Sequence, residues 1–72
     1  MPFYDNAGKF SEGLAYIEKN FKYGFINKDN QIVIEPKYDY TLSFKKGLAL
    51  VWERGKAKYI NKQGNVIWVF ED

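Results

Sequence analysis

The chain has 72 residues, of which 46% are hydrophobic and 19% aromatic, so it is too apolar to be disordered and long enough for one small domain. It contains no cysteine and no histidine, which excludes a disulfide framework, a thiolate metal site and histidine acid–base chemistry. Residues 1–36 carry four lysines and five acids (net −1), whereas residues 37–72 carry seven basic and four acidic residues (net +3), too modest an excess to predict nucleic acid as a partner.

The sequence repeats itself with a period of 34 residues. Met1–Tyr38 aligns with Glu35–Asp72 without a gap, and 11 of the 38 aligned positions are identical. In the first copy the identical residues are Pro2, Tyr4, Asp5, Phe10, Gly13, Leu14, Ala15, Lys22, Ile26, Asn27 and Lys28. A fixed period of this length indicates stacked copies of one supersecondary unit.

Short apolar blocks separated by turn residues predict three antiparallel strands in each copy. In chain order these are Leu14–Glu18, Tyr23–Asn27 and Gln31–Glu35, then Leu48–Glu53, Ala57–Asn61 and Asn65–Phe70. Asn30 and Gly64 occupy equivalent loop positions, where we expect a residue with positive φ. Because proline cannot donate to a strand ladder, Pro36 is predicted to end the third strand and begin a linker whose Tyr and Phe pack over the end of the sheet.

These elements predict an all-β single domain, residues 1–72, made of two repeats at about 2–35 and 36–72. The two three-stranded antiparallel meanders are expected to form a small six-stranded barrel or sandwich-like domain. Repeat units bury their apolar faces against neighbours, and about three or more are normally needed for stability. We therefore expect a homodimer or higher homo-oligomer, the alternative being that the two meanders close on each other.

Four segments together carry a combined pattern of Gly-Leu-Ala, a Lys-aromatic-Gly-aromatic-Ile-Asn-Lys strand and Pro-x-Tyr-Asp. They are FSEGLAYIE (10–18), FKYGFINKDNQIVIEPKYD (21–39), FKKGLALVW (44–52) and GKAKYINKQGNVIW (55–68). In this pattern the chain resembles the WG (KWG) repeats, which are named for a Trp-Gly pair. That pair is Tyr23-Gly24 in the first copy and Ala57-Lys58 in the second, so the second copy resembles a terminal repeat. The resemblance implies a bacterial or phage β-repeat scaffold that mediates binding and has no catalytic residues or cofactor.

Comparison of the two copies separates scaffold from candidate site. Residues that the copies share are predicted to be core and turn positions, whereas a specific site is expected where the copies differ. Strand alternation places Ala49 and Val51 towards the core and Leu50 and Trp52 on the opposite side. Trp52 is therefore either an exposed anchor for a partner or a cap on a small core. The candidate partner-binding residues are Leu50, Trp52, Arg54, Lys58, Tyr59 and Trp68.

The sequence predicts a non-catalytic interaction module that docks or inhibits another protein. The alternative is a small-ligand protein that holds a nucleotide or sugar between aromatic rings and Lys or Arg. We do not expect an enzyme, because Ser11, Thr41 and Ser43 are the only hydroxyl nucleophiles and none has an obvious base nearby. No acidic cluster predicts a metal, and no signal peptide or membrane span is visible, so the expected location is cytoplasmic.

Overall fold

The computed structural model describes residues 4–70, which leaves Pro2 and Phe3 of the first predicted linker outside the described residues. The strands are β1 (Asn6–Ala7), β2 (Leu14–Lys19), β3 (Lys22–Asn27), β4 (Ile32–Tyr38), β5 (Tyr40–Thr41), β6 (Leu48–Glu53), β7 (Lys56–Asn61) and β8 (Val66–Val69). They form two antiparallel sheets in the orders β1-β2-β3-β4 and β5-β6-β7-β8. The all-β class is confirmed, and the described residues include no helix that could span a membrane.

Each repeat builds one sheet, and the two sheets have the same register. Leu14 pairs with Asn27 in the first sheet, and Leu48 pairs with Asn61 at the equivalent position of the second. The predicted number of six strands is wrong, because β1 and β5 add a fourth strand to each sheet. These two strands have only two residues each, too few for an apolar alternation to mark them in the sequence.

Tight turns join the first two long strands of each sheet. Asn20 and Phe21 both have positive φ, of 52° and 68°, and so do their counterparts Arg54 and Gly55, at 54° and 79°. Two consecutive residues of this kind are typical of a two-residue type I′ hairpin, whose twist matches that of the flanking strands. The predicted positive φ at the next loop is confirmed at Asn30 and Gly64, at 65° and 86°.

The third predicted strand of the first repeat does not end at Pro36. β4 continues through Pro36 to Tyr38, with a shift of register beside Gly24. A Cβ on Gly24 would lie 2.3 Å from the carbonyl oxygen of Ile34, so only glycine allows this approach of the β4 backbone. Proline is accepted because β4 is an edge strand with an irregular ladder at this point.

The same site is regular in the second repeat. Lys58, the counterpart of Gly24, pairs with Val69 on β8, and Phe70 stands where the first repeat has Pro36. The register shift beside Gly24 is thus absent from the second sheet, whereas the shift at the next position is shared, between Phe25 and Ile26 in the first sheet and between Tyr59 and Ile60 in the second.

The two sheets pack against each other through one buried cluster. The first sheet contributes Leu14, Phe25, Ile34 and Tyr38, the second contributes Ala49, Val51 and Ile60, and the segment between β5 and β6 adds Phe44. The rings of Phe25 and Phe44 meet edge to face at 4.7 Å between centroids. Burial raises the pKa of the Tyr38 hydroxyl. Among the described residues, no strand of one sheet pairs with a strand of the other, so the barrel form of the prediction is wrong.

The expected packing of the linker aromatics is confirmed only in the second repeat. Tyr38 and Phe44 are 2% and 1% exposed, whereas Phe10, the counterpart of Phe44, is 46% exposed. Tyr4 packs against the other face of the first sheet, which carries Ala15, Ile17 and Ile26. Within residues 4–70, Phe44 packs against a preceding repeat and Phe10 does not.

Candidate functional site

A row of three cross-strand neighbours defines one face of each sheet. In the first sheet the row is Tyr16, Phe25 and Ile34, and in the second it is Leu50, Tyr59 and Trp68. The second repeat covers the first row, leaving Ile34 only 4% exposed. Within residues 4–70 no further sheet packs on the second row, and its Trp68 is 61% exposed. We call the side of the second sheet that carries Leu50, Tyr59 and Trp68 the open face.

The edge strand of the open face is apolar and exposed. Trp68 and Phe70 are 61% and 44% exposed, and the ring of Phe70 packs 5.4 Å from that of Tyr59. A row of large apolar side chains on an edge strand is unusual for an isolated soluble sheet, because unpaired edges invite association. The surface therefore has the character of an interface rather than of an ordinary solvated face.

A groove of about 450 Å³ crosses the open face, lined by Leu42, Ser43, Lys45, Lys46, Leu48, Leu50 and Tyr59. Its apolar wall corresponds by the repeat to Leu14, Tyr16 and Phe25 of the first sheet. In that sheet Phe44 belongs to the same buried cluster as Leu14 and Phe25, with Tyr16 packed against it. The groove is thus the position on the second sheet that a Phe44-like ring fills on the first.

The structure places the predicted site residues in three locations. Leu50, Trp52, Tyr59 and Trp68 share the open face, which brings together four of the six. Arg54 lies in the turn between β6 and β7, where its backbone N–H donates to Asp39. Lys58 alternates with Tyr59 and so lies on the opposite face, where it pairs with Glu53 at 3.0 Å. Their role in binding stays a prediction.

Trp52 forms the end of an aromatic ladder along one edge of the molecule. The ladder runs from Tyr16 through Tyr23 and Tyr40 to Trp52, with centroid distances of 5.8, 5.7 and 5.5 Å. Tyr23 and Tyr40 belong to different repeats, so the ladder crosses the junction between the sheets. Trp52 is half-buried against Tyr40, and it therefore contributes to the junction as well as to the open face.

Glu12 makes polar contacts across the junction that the sequence did not indicate. Its carboxylate accepts hydrogen bonds from the backbone N–H groups of Lys46 and Gly47, at 2.5 and 2.8 Å, and lies 3.6 Å from Lys62. These contacts lower the pKa of Glu12, and the hydrogen bond from the Gly47 backbone is the largest cause. Its counterpart in the second repeat is Lys46, which has the opposite charge.

Asp39 joins the two repeats at the other end of the strands. It forms an ion pair with Lys22 of the first sheet and accepts the Arg54 backbone N–H at 3.0 Å. The hydrogen bond from Lys22 is the main cause of the lowered pKa of Asp39. The sequence shows that both repeats have Lys at this position (Lys22 and Lys56) and Asp at the other (Asp5 and Asp39). It does not show that Lys22 of the first repeat pairs with Asp39 of the second.

The basic residues of the second repeat line a second groove, of about 400 Å³, which is formed by Arg54, Lys56 and Lys58 together with Glu53. The hydrogen bond from Lys58 lowers the pKa of Glu53. Lys58 and Lys62 are both paired with acids, which reduces the positive charge available to a polyanion. Within residues 4–70 no group of three acidic side chains is close enough to hold a metal ion.

Taken together, the matched registers, the shared turns and the stacked sheets define a tandem β-repeat module. The profile of the WG containing repeat family matches residues 2–23 and 23–56, and the chain belongs to that family. The second match begins at the Tyr23-Gly24 pair and covers one period, and the matched residues stop before Ala57-Lys58. Neither a curated protein nor a solved structure matched the chain.

Proposed function

We propose that the chain is a non-catalytic interaction module that docks another protein on its open face. The observation that carries the proposal is the contrast between two equivalent rows. Ile34 in the covered row is 4% exposed, whereas its counterpart Trp68 in the open row is 61% exposed. Large apolar patches rimmed by polar residues are typical of protein interfaces, and Trp and Tyr are enriched among the residues that dominate binding.

The junction between the repeats indicates the chemistry of a suitable partner. There the second repeat inserts one aromatic ring, Phe44, and pairs one carboxylate, Asp39, with a lysine of the first repeat. The second sheet offers a similar arrangement, with the apolar groove on its open face and Lys56, the counterpart of Lys22, at the end of β7. A protein surface that presents an aromatic side chain and an acidic residue therefore fits it best.

The absence of catalysis is part of the proposal and is supported by the hydroxyl groups. Ser11 donates its Oγ–H to the carbonyl of Phe44 at 2.7 Å, and Thr41 is buried with its hydroxyl donating to the carbonyls of Leu42 and Leu50. Both hydroxyls thus serve the junction and the sheet rather than a reaction.

The groove itself favours a second candidate, a small ligand. Its volume falls within the range of small-molecule sites, and Tyr59 with Lys45 and Lys46 would suit an aromatic anion. Against this candidate, Arg54 and Lys58 lie outside the groove, and a single ring cannot sandwich a base or sugar. Native mass spectrometry of the purified chain separates the two: a retained small molecule supports a ligand, and a mass equal to the chain alone supports docking of protein.

Position-specific photo-crosslinking tests the docking directly. We would replace Trp68 with a benzophenone amino acid, irradiate cells that naturally express the chain, and place the same group at Phe21 as control. Phe21 is 85% exposed but lies in the β2–β3 turn, away from the open face. Protein adducts at position 68 that are absent at position 21 and are lost on Leu50→Asp would support the proposal. Equal adducts at both positions, or none, would overturn it.

A further inference from the structure

We infer that the open face receives a second copy of this chain, docked head to tail through the Phe10 side of its first repeat. This inference rests on the proposed function and names its partner. The junction within the chain supplies the template, because stacking one more repeat on the second sheet requires each contact to recur 34 residues further along.

Phe10 is the ring that fits the groove. It is the counterpart of Phe44, and it is 46% exposed where Phe44 is 1% exposed. Phe44 meets Phe25 at 4.7 Å on the first sheet, and the counterpart of Phe25 on the open face is Tyr59, which lines the groove. In the docked pair Phe10 of the incoming copy packs against Tyr59, so an exposed ring and an unfilled apolar groove cover each other.

The ion pair of the junction also has a counterpart. Lys22 pairs with Asp39 inside the chain, and the equivalent residues across two copies are Lys56 and Asp5. Asp5 accepts the backbone N–H of Asn20 at 3.1 Å, as Asp39 accepts that of Arg54 at 3.0 Å, so the two carboxylates are held in the same way. The net charges of the first and second halves, −1 and +3, also favour this order.

Two contacts do not recur, and they make the contact between copies weaker than the junction. Glu12 holds the amides of Lys46 and Gly47, but its counterpart Lys46 cannot accept a hydrogen bond. Lys62 lies 3.6 Å from Glu12, whereas the equivalent pair between copies, Lys28 and Lys46, has like charges. A reversible association therefore follows, with Lys46 as its least favourable residue.

The contact is heterologous, since two different surfaces meet. Such a contact leaves one groove and one Phe10 free at the ends of every open assembly, so chains add to a growing filament unless the assembly closes into a ring. A two-fold dimer would instead place the two open faces against each other and leave Phe10 exposed. The two arrangements therefore differ in whether Phe10 matters.

A mixing experiment distinguishes them. Phe10→Asp blocks the incoming surface and Leu50→Asp blocks the groove, so each variant alone should sediment as a monomer over the range in which the parent chain associates. Because Leu50 is half-buried, Leu42→Asp serves as a second groove variant, with Leu42 already 46% exposed. Circular dichroism verifies folding. A mixture of the two variants should form a dimer and stop there, because each contributes one intact surface.

A gain-of-binding variant tests the same geometry from the other side. Lys46→Glu recreates Glu12 at the junction: it offers a carboxylate to the backbone amides of Glu12 and Gly13 of the incoming copy and an opposite charge to its Lys28. We expect the dissociation constant to fall by about tenfold, a charged hydrogen bond's typical effect. The double variant Phe10→Asp/Lys46→Glu should remain monomeric, which rules out a general effect of net charge.

The outcomes separate this inference from the proposed function. Association of the parent chain that survives Phe10→Asp would overturn head-to-tail docking in favour of a symmetric pair. A parent chain that stays monomeric to millimolar concentration while position 68 still crosslinks to a different protein would overturn the second copy as partner and leave the docking function intact. A monomer without crosslinks would overturn both.

Discussion

The carboxylate of Glu12 accepts the backbone N–H of Gly47 at 2.8 Å, which ties the first repeat to a turn of the second that lies 35 residues further along the chain. Gly47 has a φ of 81° and forms part of the turn that leads into β6. A charged acceptor in one repeat thus holds the backbone of the next. Because the contact is polar, the apolar pattern of the sequence does not mark it.

This contact predicts a pH dependence of stability. The folded-state pKa of Glu12 is lowered, so its contribution is complete near neutral pH, declines as the pH falls below the unfolded-state pKa of about 4.3, and is lost below the folded-state pKa. Glu12→Gln should therefore lower the urea midpoint at pH 7 and have a smaller effect at pH 3. Glu35→Gln, at an exposed carboxylate, is the control; an equal effect of both variants would contradict the assignment.

Phe44 and Phe10 form a matched pair for the stability of the junction. Phe44→Ala removes a ring that is 1% exposed, and we expect a loss of about 3–5 kcal/mol in the free energy of unfolding. Phe10→Ala, at a ring that is 46% exposed, should cost less than about 1 kcal/mol in the monomer. Chemical unfolding at concentrations below association measures both. Similar losses would mean that the repeats do not stack as described.

Phe21 is predicted to be a site where glycine stabilises the fold. Its φ is 68° and its side chain is 85% exposed, so it bears the strain of a left-handed conformation with little packing in return. Its counterpart is Gly55, at 79°. We expect Phe21→Gly to add about 0.5–1 kcal/mol, after the entropic cost of glycine, to the free energy of unfolding. Phe21→Ala removes the ring but keeps the strain, and an equal gain from alanine would refute the explanation.

Gly24 is predicted to be irreplaceable even by alanine. The added Cβ would meet the Ile34 carbonyl oxygen at 2.3 Å and the Pro36 nitrogen at 2.7 Å, and backbone cannot move aside as a side chain can. We expect Gly24→Ala to cost about 3 kcal/mol, measured by thermal or urea unfolding. Lys58→Ala, at the equivalent position, where Lys58 pairs with Val69 and carries a side chain already, should cost less than about 1 kcal/mol. A Gly24→Ala variant with an unchanged free energy of unfolding would show that the backbone of β4 does not approach Gly24 this closely.

The 34-residue repeat predicted much of the fold, because residues required by both copies stand out when the copies are aligned. Ala15, Ile26, Ala49 and Ile60 are buried as expected, and the loop residues Asn30 and Gly64 have positive φ. The two-residue strands escaped prediction because they carry no periodicity. Pro36 was misread as a strand end because its tolerance depends on a bulge, which involves the backbone of Gly24 on a neighbouring strand.

The candidate site was predicted in part, by strand alternation. The rule of alternating faces correctly placed Leu50 and Trp52 on one side of the sheet. It was not applied to Lys58 and Tyr59, and the structure places Tyr59 on the same face as Leu50 and Lys58 on the opposite one. The groove, Phe10 and Lys56 were missed as site features. They become visible only when Phe44 is seen to fill the equivalent place on the first sheet, which is a matter of stacking between repeats rather than of sequence.

Thiol reactivity measures the central claim, that equivalent faces are covered in the first repeat and open in the second. The chain has no cysteine, so Ile34→Cys and Trp68→Cys each introduce a single thiol at equivalent positions. Under native conditions, below the concentration of any association, the thiol at position 68 should react with a disulfide reagent as fast as a free thiol. The thiol at position 34 should react at least about 100-fold more slowly, through local opening. Equal rates at the two positions would contradict the account.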